Sequence, residues 1–405
     1  MGEPLIVVGN GMAAARFVEE LAKRALGRYA VAVIGEEPRL AYNRVLLSAL
    51  LAEEVGFADI ELKPARWWRD RGVTLRYGVR ATGLDAKTRT VTLAGGAELA
   101  FSKLVFATGS QPIKLEIPGI DLPGVLTFRD IDDVDAIAAM KAAGTRVVVI
   151  GGGLLGLEAA YGLAKAKAHV TLVHLMDRLM ERQLDARAAL MLKRAVEAKG
   201  IAVRLGAETT RILGDGRVEA VELRDGGVIA ADAVVVAVGI RANAALARAA
   251  GLAVNHGIAV DDHLETSTTG IHAIGECAEH RGLCYGLVEP AYEQAQVLAR
   301  RLAGEDTSYP GSVLATNLKV SGVSVFSAGD FLGQTKGAQE IVLSDPGIGV
   351  YKKLVIAHDR LVGAVLFGDT ADGPWYLELI RAGAPIARQR DDLVFGRALA
   401  TRAAA

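Results

Sequence analysis

Short apolar runs alternate with longer amphipathic stretches along most of this chain. Residues 5–8 and 147–150 are uninterrupted apolar runs, which predict strands buried on both faces. Each run is followed by a stretch with apolar residues at helical spacing, over residues 12–24 and 154–166. Strands that alternate with helices in this way are typical of parallel sheets covered by helices. The pattern therefore predicts an α/β fold in which one arrangement of strand and helix occurs twice.

The remaining apolar runs divide the chain into three parts. Further strands are predicted over residues 31–34, 104–106, 170–173, 233–237 and 271–274. From about residue 309 the pattern changes to short alternating runs, which predict an antiparallel sheet and hence a C-terminal α+β domain. The predicted boundaries are residues 1–115 with 243–308 for the first domain, residues 116–242 for the second, and residues 309–405 for the third.

A glycine-rich turn separates strand from helix in both repeats. Residues 9–14 read Gly-Asn-Gly-Met-Ala-Ala, and residues 151–156 read Gly-Gly-Gly-Leu-Leu-Gly. After a strand and before a helix, this spacing lets the backbone approach a pyrophosphate, whose charge the helix N-terminus stabilises. The sequence therefore predicts two Rossmann-like dinucleotide-binding domains, one for a flavin and one for a nicotinamide, with hydride transfer between them. The predicted contacts are Gly9, Gly11, Met12, Ala13 and Ala14 in the first turn, and Gly151, Gly153, Leu154, Leu155 and Gly156 in the second.

An acidic residue after the second strand of such a unit accepts hydrogen bonds from the ribose hydroxyls. Glu36, with Glu37 next to it, fits this position in the first unit. In the second unit we identify His174 at the corresponding position, where the carboxylate that would repel a 2′-phosphate is absent. Arg178 adds affinity for a phosphate or is a solvated surface residue. The choice between NADH and NADPH therefore stays open at this stage.

Composition removes several other classes of function. The formal net charge of −1 gives no electrostatic reason to expect nucleic acid or an anionic membrane as a partner. No apolar run reaches the ~20 residues that a bilayer requires. The two cysteines, Cys277 and Cys284, cannot form a disulfide framework, and the histidines show no metal-ligand spacing. We expect a cytoplasmic protein without a metal site.

Together with the two glycine-rich turns, the segments Ala-Thr-Gly at 107–109 and Ile-Gly-Glu-Cys at 274–277 resemble the pyridine-nucleotide flavoprotein reductases of the glutathione-reductase superfamily. The resemblance covers the whole chain and implies FAD in the first domain and NADH or NADPH in the second. It places Glu158 near the nicotinamide carboxamide, as the one candidate catalytic residue. The other cofactor contacts that it implies are Arg44, Ser48, Ala81, Ala107, Thr108, Gly109, Arg129, Gly239, Gly275, Glu276 and Val288.

This chain lacks the cysteines that many members of this family use for catalysis. Disulfide reductases carry a redox cysteine pair on the helix after the acidic loop of the first domain, and peroxide-reducing members carry a single cysteine there. Residues 45–51 of this chain contain no cysteine. We therefore expect neither dithiol nor cysteine-sulfenate chemistry.

Longer stretches resemble the flavin module of assimilatory nitrite reductase large subunits and the electron-transfer subunit of assimilatory nitrate reductases. They lie at residues 37–44, 179–185, 286–292, 351–354 and 368–376. The resemblance implies an FAD-dependent NAD(P)H oxidoreductase that passes electrons to a nitrate reductase catalytic subunit. Two alternatives stay open: a reductase for a ferredoxin- or rubredoxin-type iron–sulfur protein, and a flavin-bound redox sensor. Two cysteines cannot hold a four-cysteine iron–sulfur cluster, so we expect the acceptor to be a separate protein.

Overall fold

The computed structural model describes residues 2–25, 27–140, 143–320 and 322–401. These residues form two compact units. The first comprises residues 2–50, 55–113 and 240–312, and the second comprises residues 51–54, 114–239 and 313–401. The predicted division into three domains stays a prediction.

Residues 2–113 contain mostly short strands and helices. The strands are β1 (Glu3–Val8), β2 (Tyr29–Gly35), β3 (Thr74–Tyr77), β4 (Ala81–Asp85), β5 (Thr90–Leu93), β6 (Glu98–Ala100), β7 (Lys103–Phe106) and β8 (Ser110–Pro112). The helices are α1 (Met12–Ala25), α2 (Leu47–Leu51), α3 (Phe57–Ile60) and α4 (Ala65–Arg69). A 3₁₀ turn over Arg44–Leu46 leads into α2.

Residues 114–239 repeat the alternation of strand and helix. The strands are β9 (Val125–Thr127), β10 (Arg146–Ile150), β11 (His169–Val173), β12 (Ala202–Arg204), β13 (Thr209–Leu213), β14 (Ala220–Leu223), β15 (Val228–Ala230) and β16 (Ala233–Val236). The helices are α5 (Ile131–Met140), α6 (Leu154–Lys165) and α7 (Ala186–Glu197).

Of the remaining described residues, 240–312 belong to the first unit and 313–401 to the second. Residues 240–312 contain β17 (Ile240–Ala242), α8 (Ala245–Ala249), β18 (Ile258–Val260), β19 (Ile271–Ala273), β20 (Ala278–His280) and α9 (Val288–Leu302). Residues 313–401 contain β21 (Ala315–Val320), β22 (Val323–Gly329), β23 (Gln339–Asp345), β24 (Val350–Ala357), β25 (Arg360–Phe367), α10 (Gly373–Ala382) and α11 (Arg397–Ala400). Among the described helices, none combines the length and apolar character needed to cross a bilayer.

The central sheet of the first unit has the strand order β19-β7-β1-β2-β3, and its paired strands are parallel. Alternate residues of β1 face opposite sides: Leu5 belongs to one apolar cluster, with Phe17 and Leu298, and Ile6 to another, with Ile258. Burial on both faces explains why this strand is an uninterrupted apolar run in the sequence. One short antiparallel pair, β17-β8, one short parallel pair, β18-β20, and a three-stranded antiparallel sheet, β4-β5-β6, were not predicted.

The second unit contains the second parallel sheet, of order β12-β11-β10-β16-β9, with the antiparallel sheet β13-β14-β15. It also contains the antiparallel sheet β21-β22-β25-β24-β23, which packs with α10 around Phe326, Leu366 and Tyr376. The predicted fold class, two Rossmann-like domains with a C-terminal α+β domain, is confirmed.

Candidate functional site

The first glycine-rich turn joins β1 to α1 at the carboxyl edge of the parallel sheet. Gly9 has φ +115°, and a Cβ there would lie 2.1 Å from the carbonyl oxygen of Ala107. Only glycine accepts both conditions, so the strand turns sharply into the helix. A Cβ on Gly11, in contrast, would meet no atom within 4 Å. The space in front of Gly11 is therefore open to a ligand that approaches the backbone.

The start of α1 faces this opening with backbone donors. The first intrahelical bond runs from the Ala15 N–H to the Gly11 carbonyl at 3.0 Å. The N–H groups of Met12, Ala13 and Ala14 precede that bond, so no helical carbonyl accepts them. Backbone donors at the positive end of a helix stabilise an anion. The turn therefore fits the pyrophosphate of a dinucleotide such as FAD.

Two neighbouring glutamates at the end of β2 have different surroundings. The Glu36 side chain is 62% exposed and lies 3.7 Å from Arg80. Glu37 accepts a hydrogen bond of 2.7 Å from the Tyr42 hydroxyl and forms an ion pair with Arg44. The Arg44 guanidinium also lies 4.8 Å from the centre of the Tyr42 ring. Glu36 is therefore the more accessible carboxylate for a ribose, and Glu37 fixes the position of Arg44.

A third part of the first unit brings the segment at 107–110 beside Gly275 and Glu276. The Ser110 hydroxyl donates to Glu276 at 2.8 Å, and the Thr108 hydroxyl donates to the Asn243 carbonyl at 2.6 Å. The Gly275 N–H donates to the Gln294 side chain at 2.7 Å. Sequence reasoning missed Ser110, Asn243 and Gln294. Gln294 could have been identified from the sequence, because it is a polar residue on the face of α9 that is otherwise apolar and buried.

The other predicted flavin contacts are spread over several elements. Ala107 and Gly109 belong to the same segment as Thr108, and the Ala107 N–H donates to the Val8 carbonyl at 2.8 Å. Ser48 lies in α2, Ala81 begins β4, and Val288 begins α9. Arg129 belongs to the second unit, where its N–H donates to Asp133 at 2.7 Å. Their roles toward the flavin stay predictions.

The second glycine-rich turn has the same construction as the first. A Cβ on Gly151, which has φ +123°, would lie 2.2 Å from the carbonyl oxygen of Ala237, and a Cβ on Gly156 would lie 1.9 Å from that of Gly151. A Cβ on Gly153 would meet no atom within 4 Å. The first intrahelical bond of α6 runs from Leu157 to Gly153, so the N–H groups at 154–156 precede it. This turn therefore also fits a pyrophosphate.

The strand register identifies a different residue of the second unit as the counterpart of Glu36. Val8 pairs with Ile34 in the first unit, and Ile150 pairs with Val173 in the second. The residue that corresponds to Glu36 is therefore Leu175, whose side chain is 59% exposed, and His174 corresponds to Gly35.

His174 itself is 9% exposed. Its Nδ1 accepts a hydrogen bond from the Gly152 N–H at 3.0 Å, and its Nε2 lies 3.1 Å from Oε2 of Glu181. Because Nδ1 is an acceptor, the ring proton belongs to Nε2, which donates to Glu181. Sequence reasoning missed Glu181.

The remaining predicted nicotinamide contacts lie around this turn. Glu158 lies on α6, one turn after Leu154, and is half-buried. Arg178 lies 3.1 Å from Asp177 through Nη1, and Gly239 has φ +123° shortly after β16. Leu155 is in the first turn of α6. Their roles toward a nucleotide stay predictions.

Neither cysteine forms a disulfide. Cys277 is fully buried, with its Sγ 3.3 Å from the carbonyl oxygen of Ile274, and burial raises the pKa of its thiol. In the part of the chain that the structure describes, no group of three or more histidine, cysteine or acidic residues could hold a metal ion.

Residues 3–300 match the family model described as pyridine nucleotide-disulphide oxidoreductase. The chain belongs to this family. Residues 315–384 also match the rubredoxin NAD⁺ reductase C-terminal domain. Members of the family bind FAD and NAD(P)H, so the predicted enzyme class, an FAD-dependent NAD(P)H oxidoreductase, and the predicted cofactors are confirmed.

Two curated relatives come from Bacillus subtilis. A nitrite reductase [NAD(P)H] is 44% identical over 94% of this chain and 48% of its own length. An assimilatory nitrate reductase electron transfer subunit is 40% identical over 91% of this chain and 48% of its own length. The chain thus spans about half the length of these relatives, and the predicted family resemblance is confirmed.

Two solved structures share the fold over nearly the whole chain. A ferredoxin reductase from Rhodopseudomonas palustris is 26% identical, with a TM-score of 0.86 over 97% of this chain and 100% of its own. The NADH:rubredoxin oxidoreductase from Clostridium acetobutylicum is also 26% identical, with a TM-score of 0.77 over 96% of this chain and 97% of its own.

Proposed function

We propose that this chain transfers electrons from NAD(P)H through FAD to a separate redox protein, the catalytic subunit of an assimilatory nitrate reductase. The relative described as an electron transfer subunit of such a reductase supports this acceptor. The nitrite reductase relative supports the same area of metabolism, the reduction of nitrogen oxyanions.

The distribution of cysteines is the observation that carries the proposal. A dithiol relay requires two neighbouring thiols beside the flavin, and residues 44–51 contain none. Cys277 and Cys284 are both unpaired, and the Cys277 thiol is buried against backbone carbonyls. The chain therefore has no thiol pair to receive electrons from the cofactor, and an outside acceptor has to take them.

The residues divide into two binding sets. The turn at Gly9, the carboxylate of Glu36 and the Ser110–Glu276 pair would hold FAD. The turn at Gly151 and the first amides of α6 would hold the pyrophosphate of NAD(P)H, and Glu158 would orient its nicotinamide. When bound, FAD would supply the redox chemistry, because a flavin can take two electrons from a nicotinamide and release them singly. No side chain of this chain has to act as an acid, base or nucleophile.

A reductase for a small iron–sulfur protein is the second candidate. The match of residues 315–384 to the rubredoxin NAD⁺ reductase C-terminal domain favours it. A ferredoxin–NAD(P)⁺ reductase from Sphingomonas, 35% identical over 75% of this chain, supports the same alternative. A flavin-bound redox sensor remains the third candidate and requires no acceptor.

Reoxidation of the reduced flavoprotein separates these candidates. The protein is reduced anaerobically with one equivalent of NADH and mixed with a nitrate reductase catalytic subunit, a rubredoxin, a ferredoxin or glutathione disulfide. We expect the catalytic subunit to restore flavin absorbance fastest and glutathione disulfide to leave it unchanged. Faster reoxidation by rubredoxin or ferredoxin would replace the first candidate by the second. Reoxidation of the flavin by glutathione disulfide would contradict the expectation that the chain has no thiol relay.

A further inference from the structure

At one pair of facing positions, the first unit carries a side chain on the glycine-rich turn, whereas the second unit carries it at the end of the neighbouring strand. In the first unit, a Cβ on Gly35 would lie 2.6 Å from Cβ of Asn10, so the side chain projects from the turn. In the second unit, a Cβ on Gly152 would lie 2.6 Å from Cγ of His174, so the side chain projects from the strand end. The strand register equates Gly35 with His174 and Asn10 with Gly152. The imidazole therefore packs against the second turn.

Hydrogen bonds fix both nitrogens of this imidazole. Nδ1 accepts from the Gly152 N–H at 3.0 Å, and Nε2 donates to Glu181 at 3.1 Å. The Glu181 carboxylate is thereby linked through one ring to the backbone of the turn. A neutral imidazole with a defined tautomer is a rigid spacer, so it holds the carboxylate at a set distance from Gly152.

The backbone beside Glu181 is attached to the same turn. The N–H of Met180 donates to the Gly152 carbonyl at 3.0 Å, and the N–H groups of Gln183 and Leu184 donate to the Met180 carbonyl at 2.8 Å. Leu179, Met180 and Leu184 are fully buried. The carboxylate of Glu181 is therefore positioned from two sides, by its own backbone and by His174.

The carboxylate nevertheless keeps contact with the surface. The Glu181 side chain is 22% exposed, and its Oε1 lies 3.9 Å from Nε of Arg182, whose side chain is almost fully exposed. Of the other cations near β11, Arg178 pairs with Asp177, and Arg204 lies beside Val173 on β12. Leu175 and Met176, just after β11, are exposed apolar side chains of the kind that contact an adenine ring. An acid beside an exposed apolar surface is an arrangement suited to an adenosine with a free 2′-hydroxyl.

We propose that Glu181 supplies the carboxylate that is missing at the end of β11, that it selects NADH over NADPH, and that His174 positions it. The ribose hydroxyls of NADH would donate to the carboxylate, whereas the 2′-phosphate of NADPH would meet its negative charge. This inference rests on the proposed function, because it assumes that the second turn holds the nicotinamide dinucleotide.

Binding of oxidised nucleotides tests the inference without any turnover. Dissociation constants for NAD⁺ and NADP⁺ are measured by calorimetry on the FAD-loaded chain and on three variants. Glu181→Gln keeps the size of the side chain and removes its charge. Glu222→Gln is the matched control, because it removes one charge from β14 in the same unit, where Glu222 lies 3.6 Å from Arg211. A third variant, His174→Phe, keeps a ring and removes the link to Glu181.

We expect the unmodified chain to bind NAD⁺ more tightly than NADP⁺. Glu181→Gln should lower that preference by about ten-fold or more, the size expected for one charge-assisted hydrogen bond. His174→Phe should lower it in the same direction, and Glu222→Gln should leave it within about two-fold of the original.

Three results would overturn the inference. They are a preference of the unmodified chain for NADP⁺, a preference that Glu181→Gln leaves unchanged, and an equal change in Glu222→Gln. Any of these leaves the proposed function intact, because the chain still binds a nicotinamide nucleotide. Binding of neither nucleotide would instead contradict the proposed function together with the inference.

Discussion

At the residue scale, the two units carry different side chains at corresponding positions around their glycine-rich turns. The first unit leaves Glu36 accessible at the end of β2, and the second has Leu175 at the corresponding place. His174→Glu would follow from the sequence as a way to restore the acid and favour NADH. The structure argues against that substitution, because a carboxylate at 174 would lie beside Glu181 and repel it.

Glu158 is the residue for which substitution should affect the reaction and spare the flavin. We expect Glu158→Gln to retain FAD and to slow flavin reduction by NADH by about 10- to 100-fold, through loss of one charge-assisted hydrogen bond to the carboxamide. The measurement is the rate of flavin bleaching at saturating NADH. Glu197→Gln, which alters an exposed ion pair with Lys193, is the control. An unchanged rate in Glu158→Gln would remove Glu158 from the site.

The buried imidazole of His272 should make the stability of the first unit sensitive to acid. Burial is the main cause that lowers its pKa to about 4 from the ordinary 6.5, so the folded chain holds the neutral ring. Between these values the unfolded chain binds a proton that the folded chain does not, and stability is lost as the pH falls from about 6.5 toward 4. The full effect is about 3 kcal/mol.

We expect His272→Gln to reduce the fall in stability between pH 7.5 and pH 5 relative to the unmodified chain. Thermal unfolding scans at the two pH values measure this difference, whatever the variant does at pH 7.5. His358→Asn is the control, since His358 is exposed and has a positive φ that asparagine accepts. An equal pH dependence in His272→Gln and the unmodified chain would contradict the assignment.

At the element scale, the predictions succeeded where a strand is buried on both faces. The sequence predicted residues 5–8 and 147–150 as strands, and β1 and β10 contain them. It missed β4–β6 and β13–β15, which are short strands whose exposed residues break the apolar pattern. It also missed α7, although Asp185 caps that helix by accepting from the Ala188 N–H at 3.0 Å. Contacts such as Ser110 with Glu276 could not be predicted, because they depend on the order of strands in the sheet.

The glycines of the second turn should separate folding from nucleotide binding. Gly156→Ala places a methyl group 1.9 Å from the Gly151 carbonyl, so we expect it to destabilise the fold by about 1–3 kcal/mol. Gly153→Ala meets no protein atom within 4 Å, so we expect an unchanged melting temperature. Its methyl group occupies the space that a pyrophosphate needs, and NAD⁺ binding should weaken by about ten-fold or more. Melting curves and calorimetry on both variants test this; a Gly153→Ala variant with unchanged affinity would remove that turn from the nucleotide site.

At the scale of the whole molecule, two stretches that carried the family resemblance meet within the second unit. Asp185, at the end of the stretch 179–185, accepts a hydrogen bond of 2.6 Å from the Tyr351 hydroxyl and lies 3.3 Å from the Lys353 ammonium. Tyr351 and Lys353 belong to the stretch 351–354. These contacts join the start of α7 to β24 of the C-terminal sheet, which sequence alone could not reveal.

The proposed function depends on the transfer of electrons from a nicotinamide nucleotide to the bound flavin. Anaerobic stopped-flow mixing of the FAD-loaded protein with NADH, and separately with NADPH, measures this step directly through the visible flavin absorbance. We predict rapid bleaching by NADH and much slower bleaching by NADPH. Bound flavin that neither nucleotide reduces would contradict the electron-transfer account and favour the redox-sensor alternative.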